Sequence, residues 1–271
     1  MKKTLTFLLV FSFLLTGCTQ ESGENSTKQT ALEDKPNPPS GFIPKKLTIV
    51  SAGDSLTQGV GDSTNSGGYI PYLKSDLEGL EDIQEATFYN FGVRGNRTDQ
   101  LLARLKTDKV KQKIKQADLV MITIGGNDVM KVFKDNFTDL KLKEFEKARS
   151  DYQNRLKVIM TTIRQENPEA GIVLIGIYNP FLKWFADVKE IEQIMVNWNK
   201  ASKEIVDQYQ QAKFIPISDI FENSQDDLLY KDYFHPNDEG YHLIADRLFD
   251  QLKGEALAEL TNPDYIAKEG R

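Results

Sequence analysis

Cysteine is nearly absent from this 271-residue chain, Cys18 being the only one. A single thiol excludes an intramolecular disulfide and a cysteine-built metal cluster. Histidine is almost as scarce, with two residues, His235 and His242, so a histidine base has to be one of these. Positive charge is in deficit: 34 Lys and Arg stand against 40 Asp and Glu, a formal charge of −6. Electrostatics does not draw an acidic chain to nucleic acid or to anionic lipid, and no nucleic-acid partner is expected. Long hydrophobic runs are missing too. The apolar run from Leu5 to Leu15 covers about 16 Å at helical rise, against a hydrocarbon core of roughly 30 Å. No internal repeat is present, which excludes solenoids and propellers.

What that short run does resemble is a signal peptide. Lys2 and Lys3 precede it and Thr16-Gly17-Cys18 follows it. Leu15-Thr16-Gly17-Cys18 is similar to the bacterial lipobox, in which the cysteine is acylated, palmitate among the acyl groups, and becomes the first mature residue. Residues 1–17 are therefore expected to be removed, taking Lys2 and Lys3 with them and changing the formal charge from −6 to −8. Two or three acyl chains on Cys18 would hold the protein durably on the extracytoplasmic face of the cell membrane. Residues 19 to 45 are polar, with no aromatic before Phe42. Such a stretch buries too little apolar area to order itself. Residues 18–45 are accordingly expected to be a tether, its ends about 25–30 Å apart as a flexible coil.

Residues 46–271 are long enough for one domain. Short apolar runs alternate there with amphipathic ones. Strands are expected at Leu47–Ala52, Ala86–Phe91, Leu119–Ile124, Ile172–Ile177 and Phe214–Ile217. Helices are expected at Tyr69–Leu80, Thr98–Leu105, Leu140–Gln165, Ile191–Gln210 and Asp238–Leu252. Leu119 to Ile124 is continuously apolar, as a strand covered on both faces is. The alternation predicts an α/β domain with a parallel sheet between helical layers.

Three of the strand ends are unusually polar. Gly53-Asp54-Ser55 follows the first, Asn90 to Asn96 the second and Gly125-Gly126-Asn127-Asp128 the third. Parallel strands bring their carboxyl ends to one edge, where open α/β sheets bind ligands. Ser55 would make a nucleophile there, although serine also caps helices. A serine nucleophile needs a base, and His235 has a carboxylate, Asp232, three residues earlier to orient its ring. His242 lies inside a helical pattern and is assigned packing or surface duty. Gly95 could offer a backbone N–H and Asn127 a side-chain amide to an oxyanion, or the one could serve a turn and the other a cap.

Together and in this order, these blocks resemble the SGNH (GDSL) hydrolase family of lipases and acylhydrolases. Gly53-Asp54-Ser55-Leu56-Thr57 matches the first block, Asn90 to Gly95 the second, Gly125-Gly126-Asn127-Asp128 the third and Asp232-Tyr233-Phe234-His235 the last. The resemblance covers about residues 46–254. It implies a three-layer α/β/α sandwich on a flavodoxin-like five-stranded parallel sheet. It also implies Ser55, Asp232 and His235 as catalytic residues, and an oxyanion hole of the Ser55 and Gly95 amides and the Asn127 side chain. No cofactor and no metal are implied. The α/β-hydrolase elbow does not fit, since Thr57 stands where that Gly-x-Ser-x-Gly turn needs its second glycine.

The expected activity is cleavage of a small-molecule or lipid ester through an acyl-serine, by a monomer. Carbohydrate O-deacetylation and acyl transfer would use the same residues, and a ligand-binding lipoprotein would keep the fold without the activity. Two loops, Val129–Phe133 and Tyr178–Phe185, are expected either to line the acyl pocket or to cover the core.

Overall fold

The computed structural model describes residues 44–136, 141–181, 189–222, 224 and 227–262, all within one unit, Ile43–Arg271. The expected signal segment, Cys18 and the tether up to residue 43 lie outside them. Five parallel strands form one sheet in the order β2-β1-β3-β4-β5. They are β1 (Lys45–Gly53), β2 (Ile83–Gly92), β3 (Leu119–Thr123), β4 (Gly171–Ile175) and β5 (Ala212–Ile215). All five expected strands are present.

Their ends differ from expectation for physical reasons. β5 stops at Ile215 because Pro216 has no N–H to continue the ladder. β4 stops at Ile175: Gly176 N still donates to Ile215 O at 2.8 Å, but at Ile177 a side chain takes over the pairing. Asn199 accepts from Ile177 N at 2.9 Å and donates to Ile177 O at 2.8 Å.

Alternate residues of the central strands feed two cores. Val50, Ala52, Val120, Ile122, Ile172 and Leu174 face one layer of helices. That layer holds α3 (Thr98–Leu105), α4 (Asp108–Ile114), α5 (Gly126–Asp135), α6 (Leu142–Glu166) and α7 (Lys189–Val206). Leu47, Ile49, Leu119, Met121, Val173 and Ile175 face the other. There α2 (Ile70–Glu78), α9 (Asp238–Leu252) and α10 (Glu255–Thr261) pack. Two single turns, α1 (Ser55–Gln58) and α8 (Ser218–Glu222), complete the described helices. The three-layer sandwich follows from the period-2 alternation of strands buried on both sides.

α3 and α9 have their expected bounds, and α6 ends where Asn167-Pro168 predicts. Asn167 donates to Ile114 O and Ala117 O at 2.8 and 2.9 Å, and accepts from Glu169 N and Ala170 N. Its side chain thereby fixes both the helix end and the start of β4. One expectation fails: Val129–Phe133 is not a loop but the middle of α5, with Val129, Val132 and Phe133 buried at helical spacing. Among the described residues, no helix is long and apolar enough to cross a membrane.

Candidate active site

β1, β2, β3 and β4 end level. Gly53 stands opposite both Gly92 and Thr123, and Thr123 opposite Ile175. The polar blocks after the first three strands therefore meet at one edge.

After β1 the chain turns at Asp54, whose carboxylate accepts from Leu56 N at 3.0 Å and so caps α1. Ser55 is thus the first residue of that helix, not its cap. Asp54 is buried and locked to β3: its amide donates to Thr123 O at 3.1 Å, and the Thr123 hydroxyl donates to its carboxylate at 2.9 Å. The hydrogen-bonded chain runs on from Thr123 to Thr57 (2.8 Å) and from Thr57 to Tyr69 (3.3 Å). Burial pushes the Asp54 carboxyl up to about 7, against the pull of the Leu56 amide and Thr123 hydroxyl.

The turn after β2 is pinned to the nucleophile turn. Val93 N donates to Gly53 O at 3.0 Å, Arg94 N to Gln58 Oε1 at 2.5 Å, and the Asn90 side chain to Thr57 O at 2.8 Å. Gly92 lets α1 approach this closely, since a Cβ there would meet Gln58 N at 2.1 Å. Gly95 has φ +79, a left-handed conformation that favours glycine. The amides on either side of it are engaged, Arg94 N with Gln58 and Asn96 N with Val93 O. Those of Gly95 and Ser55 find no protein acceptor among the described residues.

After β3, Gly125 opens α5 and Asn127 falls in its first turn. Asn127 Nδ2 donates to Asn96 O at 3.0 Å, which orients its amide. Asp128, quoted in the sequence without a role, proves to be an anchor. It accepts from Thr98 N (3.0 Å), the Thr98 hydroxyl (2.6 Å) and Arg155 (3.1 Å), tying α5 to α3 and α6. Burial raises its carboxyl, and these donors pull the other way.

The last block lies in the loop before α9. One carboxylate shapes it: Asp232 Oδ1 accepts from Phe234 N (3.1 Å) and His235 N (3.0 Å), while Oδ2 meets His235 Nδ1 at 2.6 Å. With Nδ1 so engaged, Nε2 is the ring nitrogen left for another partner. Partial burial works to raise the Asp232 carboxyl. The His235 amide and ring outweigh it, and the group sits below the ordinary carboxylate range. Tyr230 N donates to His235 O at 2.7 Å and the Tyr178 hydroxyl donates to Phe234 O at 2.7 Å. His242 lies elsewhere, half-exposed on α9, against Tyr72 and 3.6 Å from Asp246.

Ser55, Asn127 and His235 line one cavity with about 550 Å³ of empty space, part of it open to solvent. Leu56, Ile124, Met130, Ile177, Pro180 and Met195 supply an apolar wall. Of the two stretches expected at the pocket, Tyr178 and Pro180 line it from one and Met130 from the other. Phe181 instead packs on Phe133 at 4.9 Å, and residues 182–185 lie outside the described residues. Sequence reasoning passed over Thr123, a single polar residue in a strand whose partners Asp54 and Thr57 are distant in the chain.

A buried serine with an unpaired amide opening a helix, an asparagine amide and a histidine held by a carboxylate, all on one cavity, form the kind of site that acyl transfer uses; Gly95 is not among the residues lining that cavity. The chain belongs to the GDSL-like lipase/acylhydrolase family, whose model matches residues 51–243. It is an ester-hydrolysing enzyme of the GDSL type. It is 35% identical over 246 residues to the uncharacterized protein YpmR of Bacillus subtilis, covering 90% of this chain and 93% of that one. The spore germination lipase LipC of Bacillus licheniformis is 25% identical over 207 residues, 74% of this chain and 94% of that one. Among solved structures, the lipase Lip_vut3 from a goat rumen metagenome superposes with a TM-score of 0.69 at 26% identity, covering 78% of this chain and 99% of that one. The acetylxylan esterase Axe2 of Geobacillus stearothermophilus shares the fold at 20% identity, with a TM-score of 0.59 and coverage of 79% and 98%.

Proposed function

We propose that the chain cleaves carboxylic esters through an acyl enzyme on Ser55. The observation that carries this reading is the Asp232-oriented His235 ring lining the same cavity as Ser55. His235 Nε2 takes the Ser55 proton as Oγ attacks the ester carbonyl, and Asp232 steadies the imidazolium. The Ser55 and Gly95 amides and the Asn127 side chain hold the oxyanion. His235 then protonates the leaving alcohol. Water, deprotonated by the same ring, attacks the acyl carbonyl, and the collapse returns the proton to Ser55 and frees the acid. Ser55 and His235 share no hydrogen bond in the structure. Contacts of this kind tighten when substrate is bound, and a serine side chain turns about one bond.

The apolar wall favours a substrate whose acyl or alcohol part is itself apolar, such as a lipid ester. Leu15-Thr16-Gly17-Cys18 supports attachment to the outer face of the membrane by acyl groups on Cys18, with residues 18–45 as the tether. The test is turnover of p-nitrophenyl esters of increasing chain length by the purified protein and by Ser55→Ala. Activity that rises beyond acetate and is lost by several orders of magnitude in the variant is expected. Near-normal cleavage by Ser55→Ala would remove the acyl-serine from the scheme, and an optimum at acetate would remove the lipid-like substrate.

A further inference from the structure

Arg104 on α3 reaches behind the site and touches none of the residues assigned a chemical role above. Its Nη2 donates to Phe91 O, near the end of β2, at 2.7 Å. Its Nη1 donates to Asn96 Oδ1 at 3.1 Å and lies 3.5 Å from Gly53 O, at the end of β1. These partners are uncharged oxygens. Among the described residues no carboxylate stands within ion-pair distance of it. The guanidinium is half-buried, and that desolvation works against its charge. An arginine placed for general stability would more often snorkel to water or take a carboxylate. This one spans two strand ends and one turn.

The turn is the one that matters. Asn96 is buried, its side chain held by Arg104 and its carbonyl accepting the Asn127 amide. It also follows Gly95 directly. One guanidinium thereby fixes the residue that orients Asn127 and closes the Gly95 turn, and it contacts the strand end two residues before Ser55.

We infer that Arg104 is a positioning residue for the oxyanion hole, acting through Asn96 on the Asn127 amide and the Gly95 N–H. This rests on the acyl-serine reading above. Its consequence is selective: misplacing these donors costs transition-state stabilisation and leaves substrate binding on the apolar wall largely intact.

The experiment is a double-mutant cycle in the full chain, with p-nitrophenyl ester turnover as the readout. Arg104→Met is expected to lower kcat by about 10- to 100-fold with KM changed less than about twofold. In an Asn127→Ala background the same substitution is expected to cost at least about fivefold less, because part of what Arg104 holds is already gone. Arg104→Lys is expected to recover only part of the loss, since an ammonium cannot reproduce the two-pronged donation. Equal cost in both backgrounds, or a rise in KM with kcat unchanged, overturns the inference. Should Arg104→Met fail to fold, Asn96→Ala cuts the same link while keeping the arginine on Phe91 O, and is judged by the same criteria. The Ser55→Ala control separates the two failures. Activity that survives it defeats the acyl-serine reading, whereas activity lost in it with Arg104 uncoupled from Asn127 defeats this inference alone.

Discussion

On the nucleophile side of the cleft, Ser55, Gly95 and Asn127 stand on turns and helix starts fastened to the parallel sheet by main-chain bonds, by the buried Asp54 and Thr123 side chains and by the half-buried Arg104. On the histidine side, the 227–237 loop belongs to no strand of the sheet. Asp232 shapes it, with a single bridge between Leu229 and Pro236 and the Tyr178 hydroxyl on Phe234 O. Each side has a carboxylate, and the two environments push in opposite directions. Asp54 is dry and its carboxyl is driven up, whereas Asp232 is partly open to water and its histidine partner holds it down. The first carboxylate suits a structural cap and the second a permanent anion beside an imidazolium. Substitutions on the two sides should therefore fail in different ways.

The largest effect after loss of Ser55 is expected on the histidine side. Asp232→Asn should lower kcat by about 10⁴-fold, by comparison with other serine triads, and the loop should keep its shape because an amide oxygen can still accept from Phe234 N and His235 N. Kinetics alongside circular dichroism checks this; a loss below tenfold would mean that Asp232 is only a loop former. On the opposite side, Asn127→Ala should cost about 10²–10³ in kcat with KM little changed, as removal of one oxyanion donor does. A change confined to KM would place Asn127 in substrate binding instead.

The last effect concerns stability and leaves the rate aside. The Asp54 carboxyl titrates near 7 in the folded protein against a normal value of 3.8. Between those values the folded state holds a proton that the unfolded chain has released, so stability falls as pH rises from about 4 to about 7 and levels off above it. Asp54→Asn removes this slope, worth up to about 1.4 kcal/mol per pH unit. Denaturation midpoints of both proteins across that range test it, and parallel curves would show that Asp54 carries no raised pKa.

Much of the nucleophile side was legible in the sequence because its information is local. Continuous apolar runs mark strands buried on both faces, and glycines mark the turns that follow. Asp232 and His235 are likewise close in the chain, so their pairing could be read. What escaped depends on distance. Arg104 and Thr123 gain meaning from partners in other elements, and nothing in their neighbours signals it. α5 was missed for another reason: Val129–Phe133 is a short stretch directly after a glycine-rich block, yet it is the middle of a helix that Gly126 begins and whose buried Val129, Val132 and Phe133 give its face. β5 was placed two residues late because Phe214, Ile215 and Ile217 look like one run, which Pro216 interrupts.

The most direct test of the central claim is to treat the protein with a fluorophosphonate and locate the adduct by mass spectrometry, in the wild type and in His235→Ala. One adduct, on Ser55, forming far more slowly in the variant, is the predicted result. An adduct on another residue, or equal labelling of Ser55 in both proteins, would contradict a serine nucleophile activated by His235.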